Sequence, residues 1–124
     1  MSDCIFCNIN QSRIVDSNEY FYVILDVYPV TELHTLIIPH RHISSYFELS
    51  EEEQSSLFLL LKKHKDKLQK IDSTITGFNM GINDGEDAGQ TVFHCHVHLI
   101  PRRKGDVKNA KGGVRGVISS KQSY

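Results

Sequence analysis

Tryptophan is absent from this 124-residue chain, and proline and cysteine occur three times each. An odd number of cysteines cannot close into a full set of internal disulfides, so a domain held together mainly by bridges is excluded. The formal net charge of −1 gives no general affinity for nucleic acid. No stretch approaches the ~20 apolar residues of a membrane span. The beginning, MSDCIFCNI, has neither a basic segment nor a long apolar run, so no signal peptide and a cytoplasmic location are expected. What is present is the balance of a globular protein, 40% hydrophobic and 23% charged residues, in a length that suits one domain over 1–124.

Charge is unevenly spread. From Arg102 to Lys121 there are seven basic residues against one acid, Asp106, and this basic tail either attracts a polyanionic ligand or is a solvated terminus. Cys4 and Cys7 form C-x-x-C, a spacing that in a cytosolic chain points to metal or redox chemistry.

Tyr20–Leu25 is aromatic and β-branched and predicts a strand. Pro29 then calls for a loop, and His34–Pro39 predicts a second strand ended by its proline. Ser50 with Glu53 three residues on makes a capping box, and Glu51 and Glu52 suit the start of a helix. Leu57, Leu60, Leu61, Leu68 and Ile71 form its apolar stripe, with His64 expected at its surface or boundary. Further strands are expected over Thr76–Asn83 and roughly Val92–Ile100, the last ended by Pro101. Strands, one long helix, then strands again predict α+β with a largely antiparallel sheet.

The last predicted strand contains HCHVHLI, which places nearly half of the seven histidines in five residues. Alternation puts Phe93, Cys95, Val97 and Leu99 on an apolar face and His94, His96, His98 and Ile100 on the other. Three explanations are open: a metal collects the imidazoles, they are polar surface residues, or they do nucleophilic and acid–base work. Residues i and i+2 on a strand lie about 7 Å apart, which disfavours convergence on one ion and favours a linear site. Upstream, NDGEDAGQT has glycines that free backbone N–H groups for an anion, and Asn83, Gln90 and Thr91 add neutral donors.

With its flank GQTVFHCHVHLIPR, the motif His-φ-His-φ-His-φ-φ (φ apolar) resembles the signature of the histidine triad (HIT) superfamily of nucleotide hydrolases and transferases. LDVYPVTELHTLIIPHRHI and CIFCNI resemble further positions, so the likeness covers most of residues 4–106. It implies a five-stranded antiparallel sheet with one long helix, in a homodimer whose sheets join. It also implies a two-step reaction at the α-phosphate of a nucleotide, adenosine-type by the family's habit. His96 matches the nucleophile, His98 the residue that holds the phosphate oxygens, and His34 a fourth histidine that orders the cluster. Asp26 matches the acceptor of ribose hydroxyls. Ile5, Phe6, Ile24 and Val27 match apolar residues around the base, or are simple core. Asn83, Gln90 and Thr91 match polar contacts to phosphate and leaving group. No catalytic metal is required by this chemistry.

The resemblance also implies a structural zinc on Cys4, Cys7, His42 and His94, with His40 a rival for His42. On branch, IPRRKGD resembles diadenosine polyphosphate hydrolases of the fragile histidine triad type. Asp26 and Asn83 resemble the phosphoramidase branch, whose Trp-containing C-terminal segment this chain lacks. The expected activity is transfer of a nucleoside monophosphate to water from a dinucleoside polyphosphate or a phosphoramidate. The alternatives are a nucleotidyltransferase, against which His98 stands because transferases often carry glutamine there, and a nucleotide-binding regulatory protein with incidental turnover.

Overall fold

The structure is a computed structural model and describes residues 3–124. Five strands form one antiparallel sheet: β1 (Ile14–Ser17), β2 (Phe21–Leu25), β3 (Thr35–Pro39), β4 (Ile75–Gly81) and β5 (Val97–Arg103). Their spatial order is β1-β2-β3-β5-β4, so β5 is inserted between β3 and β4, and β1 and β4 are the edges. One helix, α1 (Glu51–Ile71), joins the two halves of the sheet. This is the expected architecture.

The two sheet faces bury different residues because strand side chains alternate. Phe21, Val23, Ile37, Cys95 and Val97 pack with Leu57 and Leu60 of α1. Tyr22, Ile24, Leu36 and Ile38 point the other way and are covered by Phe6 of the N-terminal segment. The helix thus covers one face and leaves the histidine-bearing face to short segments.

The helix starts where its sequence says. Ser50 accepts from the Glu53 N–H, and the Glu53 carboxylate accepts from the Ser50 N–H, a complete capping box. Glu53 is buried and also takes two hydrogen bonds from Arg41, at 2.8 and 3.0 Å. Its pKa sits near 2, chiefly because of those bonds. Ile71, expected in the stripe, is exposed at the helix's last residue. His64, expected at the surface, is buried, with its ring nitrogen 2.8 Å from Asp16 of β1. Burial would raise the Asp16 carboxyl, but hydrogen bonds from Lys63 and His64 win and hold it at about 2.

No pattern in the sequence predicts β1, and both ends of β5 differ from expectation by several residues. β1 is four residues with a bulge between Ile14 and Asp16, too short and irregular to show a period. β5 begins at Val97, and residues 92–96 approach it as irregular chain, tied by the Cys95 N–H to the Ile43 carbonyl at 2.7 Å. Phe93 therefore leaves the apolar face and is half-exposed, while Cys95 stays in the core. Pro101 does not end β5; the strand runs on to Arg103. Pairing with β3 ceases at Leu99, and beyond it the Pro101 carbonyl accepts from the Thr31 hydroxyl at 2.5 Å. The absent N–H therefore falls where no β3 partner remains.

Arg102 and Arg103 thus belong to the sheet, in ion pairs with Asp106 (2.7 Å) and Asp72 (3.0 Å). The segment after them carries only short 3-10 turns, and Lys111 and Arg115 lie 5.0 and 4.9 Å from the Tyr124 ring centroid. Most of the basic tail is accordingly paired within the chain. Among the described residues no helix is long and apolar enough to cross a membrane.

Candidate active site and metal centre

His94, His96 and His98 have separate environments. His94 is fully buried, and its Nε2–H donates to the Pro39 carbonyl at 2.8 Å. A neutral imidazole carries one N–H, so Nδ1 is left as a lone pair. That lone pair faces Cys4 Sγ (3.5 Å), Cys7 Sγ (3.6 Å) and His42 Nδ1 (3.2 Å), and Cys7 Sγ is 3.1 Å from His42 Nδ1. Around a tetrahedral zinc, bond lengths of ~2.3 Å to sulfur and ~2.05 Å to nitrogen put S···N pairs about 3.6 Å apart and N···N pairs about 3.3 Å apart. Those pairs lie within about 0.5 Å of these values, and the four donors are all within 4.8 Å of one another, so the residues fit the ion. His40 is not among them; its Nε2–H donates to the Asn18 carbonyl.

His96 is oriented from the opposite ring nitrogen. Its Nδ1–H donates to the His94 carbonyl at 2.9 Å, which leaves Nε2 with the lone pair, as a nucleophile needs. The Phe6 ring lies against it, centroids 5.0 Å apart, and against His94 at 5.9 Å.

His98 is set by a third device. The Val30 N–H donates to His34 Nδ1 at 3.0 Å, so the His34 proton is on Nε2, 2.9 Å from His98 Nδ1. His98 Nδ1 accepts, and its remaining proton is on Nε2, available to a phosphate oxygen. Burial, then the neighbouring His96 and His34, push the His98 imidazole down to about 4, and burial lowers His34 as well. Both are neutral at pH 7. Asp26 Oδ2 is 3.5 Å from His34 Nε2, so Asp26, His34 and His98 also form a group with metal-ligand chemistry. The proton on His34 Nε2 makes this group a hydrogen-bond relay instead. Leu33, at φ +73°, bends the chain so that the 30–34 loop closes on itself, at a cost of about 1–2 kcal/mol for a residue with a Cβ.

The structure brings His34, His98 and Asn83 together around one cavity of about 510 Å³, whose walls include Met80, Ile100 and Val114. Thr91 lines a different one, with Ile5 and His42. Gln90 lies apart from both. It is buried, with its amide spent on the Gly85 N–H (2.8 Å) and the carbonyls of Ser44 and Val92 (2.9 and 3.2 Å). It shapes the loop and has no group left for phosphate. Of the four apolar residues, Ile5 and Val27 are exposed, whereas Ile24 and Phe6 are buried. Asp26 is half-buried at the end of β2, with Oδ1 accepting from the Tyr28 N–H at 2.9 Å. The groups missed from sequence are the Val30 N–H, the Pro39 and His94 carbonyls, and the tail residues at the cavity wall. Backbone groups carry no side-chain signature, so nothing in the sequence marks them.

Comparison with known proteins gives a match to the model of the HIT domain over residues 8–105. A 16.1 kDa HIT-like protein of Mycoplasma pneumoniae is 37% identical over 105 residues, 82% of this chain and 72% of that one. A zinc-bound histidine triad family protein from Mycobacterium smegmatis superposes with a TM-score of 0.78 at 33% identity, covering 87% of this chain and 81% of that one. The diadenosine triphosphate hydrolase of Plasmodium falciparum, solved with cyclomarin A, superposes with a TM-score of 0.75 at 30% identity, covering 82% and 68%.

Proposed function

The chain belongs to the HIT domain family, and from that premise we propose that it hydrolyses nucleotides at the α-phosphate, with His96 as nucleophile. The observation that carries this reading is the hydrogen bond from His96 Nδ1–H to the His94 carbonyl, which leaves Nε2 as a lone pair. In the first step Nε2 forms a bond to phosphorus, and the bond from phosphorus to the leaving group breaks with its electron pair, a phosphate oxygen leaving as its anion and an amine nitrogen taking a proton from solvent as it leaves. The His98 Nε2–H donates to a non-bridging oxygen, where charge builds. In the second step water adds to phosphorus, its proton passes to solvent, and the P–N bond breaks to restore imidazole and release a nucleoside monophosphate. Asp26 takes the ribose hydroxyls, Ile5 and Val27 flank the base, and Asn83 and Thr91 contact phosphate and leaving group. Phe6 and Ile24 support that face from beneath, and Gln90 braces the loop.

A structural zinc on Cys4, Cys7, His42 and His94 supplies a cross-link between the N-terminal segment and the histidine strand. No step passes through it. The substrate we favour is a dinucleoside polyphosphate, as the likeness to the Plasmodium hydrolase supports, over a nucleoside phosphoramidate. Its nucleoside is of the adenosine type. The whole of 1–124 serves as one cytoplasmic domain. It acts as a homodimer joined through β4, the longer of the two edge strands.

Rapid quench followed by intact-protein mass spectrometry tests the reading, with diadenosine polyphosphates and an adenosine phosphoramidate as substrates. Wild type is expected to gain one AMP transiently, and His96→Ala to gain none. Nucleotide binding without an adduct or turnover on any substrate would instead make the chain a nucleotide-binding regulatory protein.

A further inference from the structure

We propose that Phe6 is a positioning residue that couples the metal centre to the nucleophile, so that the metal sets the tautomer and orientation of His96 without touching substrate. The proposal rests on the nucleophilic role given to His96 above.

Phe6 lies between the two cysteines in C-I-F-C, inside the loop that a metal bound to Cys4 and Cys7 would close. Phe6 is 7% exposed, and its ring lies against both His94 and His96. Its carbonyl accepts from the Tyr22 hydroxyl at 2.6 Å, which ties the loop to β2. Within the loop the Cys7 N–H lies 3.4 Å from Cys4 Sγ, and the Asn8 N–H and side-chain amide donate to the Cys4 carbonyl. Metal ligation adds two covalent-strength anchors on either side of Phe6.

A second path runs through His94 itself. One residue offers Nδ1 to the metal, donates Nε2–H to the Pro39 carbonyl, and accepts the His96 Nδ1–H at its own carbonyl. Fixing the His94 ring therefore fixes the carbonyl that selects the reactive tautomer. The Phe6 ring packs against the His96 imidazole, centroids 5.0 Å apart. The two paths meet at the same imidazole. A phenyl ring held in this way has a function beyond filling the core.

The test reads His96 directly. Histidine side-chain ¹⁵N spectra would be recorded at one neutral pH for wild type with zinc, wild type after chelation, and zinc-loaded Phe6→Ala and Phe6→Leu. Zinc content would be measured by mass spectrometry and folding by circular dichroism. Zinc-loaded wild type is expected to show His96 as a single Nδ1–H form. Chelation and Phe6→Ala should each give exchange-averaged signals of mixed tautomers, with zinc still bound in Phe6→Ala. Phe6→Leu, which refills most of the volume, should recover most of the single form. In rapid-quench assays Phe6→Ala is expected to form the AMP adduct about tenfold or more slowly, with nucleotide affinity changed less than threefold. A folded, zinc-loaded Phe6→Ala with the wild-type His96 spectrum overturns the proposal, as does an unchanged spectrum after complete zinc removal. Because the spectra need no substrate, an inactive wild type would count against the hydrolase reading and not against this coupling.

Discussion

Each triad imidazole has its proton assigned by a different neighbour: the Pro39 carbonyl for His94, the His94 carbonyl for His96, and His34 for His98. Alternate spacing in HCHVHLI separates the three positions, and the family resemblance gives each an expected role. The means of assignment were not legible, since two of the three partners are main-chain carbonyls. The same limit explains Gln90: its place beside the motif suggested phosphate, and only the folded loop reveals three backbone partners. The buried His98 gives a pH prediction. Its imidazole protonates near 4 when folded and near 6.5 when unfolded. Between those values the unfolded chain holds a proton that the folded chain lacks, so stability falls as pH drops from ~6.5 to ~4 and levels off below. The loss due to His98 reaches at most about 3 kcal/mol. In urea titrations across this window His98→Asn, which keeps an acceptor for His34, is expected to lose less stability than wild type; parallel curves would place the effect elsewhere.

At the scale of elements, α1 was the most legible part because its start is written in side chains. Ser50→Ala removes one half of the capping box and is expected to cost about 1 kcal/mol, a lower thermal midpoint with adduct formation unchanged. An unaltered midpoint would mean that the Glu53–Arg41 pair carries the helix start alone. Four of the five strands were legible in existence and order along the chain but not in their limits, and β1 showed no pattern at all. β5 begins five residues later than expected and passes through Pro101, because pairing with β3 and with β4 stops at different places along it. No single-strand pattern holds that information. Likewise His64 reads as a boundary residue on the helix, and becomes an interior one only because β1 brings Asp16 to it.

Considered whole, the molecule divides its labour between sheet faces: α1 and its leucines on one, Phe6, the metal-binding group and the histidines on the other. The fold was legible as α+β with one helix. Of the four residues that could hold a metal, Cys4 and Cys7 were legible in their spacing, while His42 and His94 came from the family resemblance, with His40 left as a rival that the structure places elsewhere. The cavity wall formed by the tail was not legible, since Gly113, Val114 and Val117 have no feature that marks them. Removing zinc should loosen the N-terminal segment from the sheet. Chelation is expected to lower the thermal midpoint of wild type by at least about 5 °C, and to leave Cys7→Ser, already lacking a ligand, nearly unmoved. Equal midpoints for loaded and chelated wild type would remove zinc from the structural account. The carbonyl that holds the His96 proton has a consequence for how the reaction responds to heat. In the proposed reaction no ring would have to flip and no proton would have to be exchanged with solvent before phosphorus is attacked, so every turnover would start from the same arrangement. The barrier of the first step then contains little of the disorder lost when free reactants are aligned, and its temperature dependence comes mostly from bond-making and bond-breaking enthalpy.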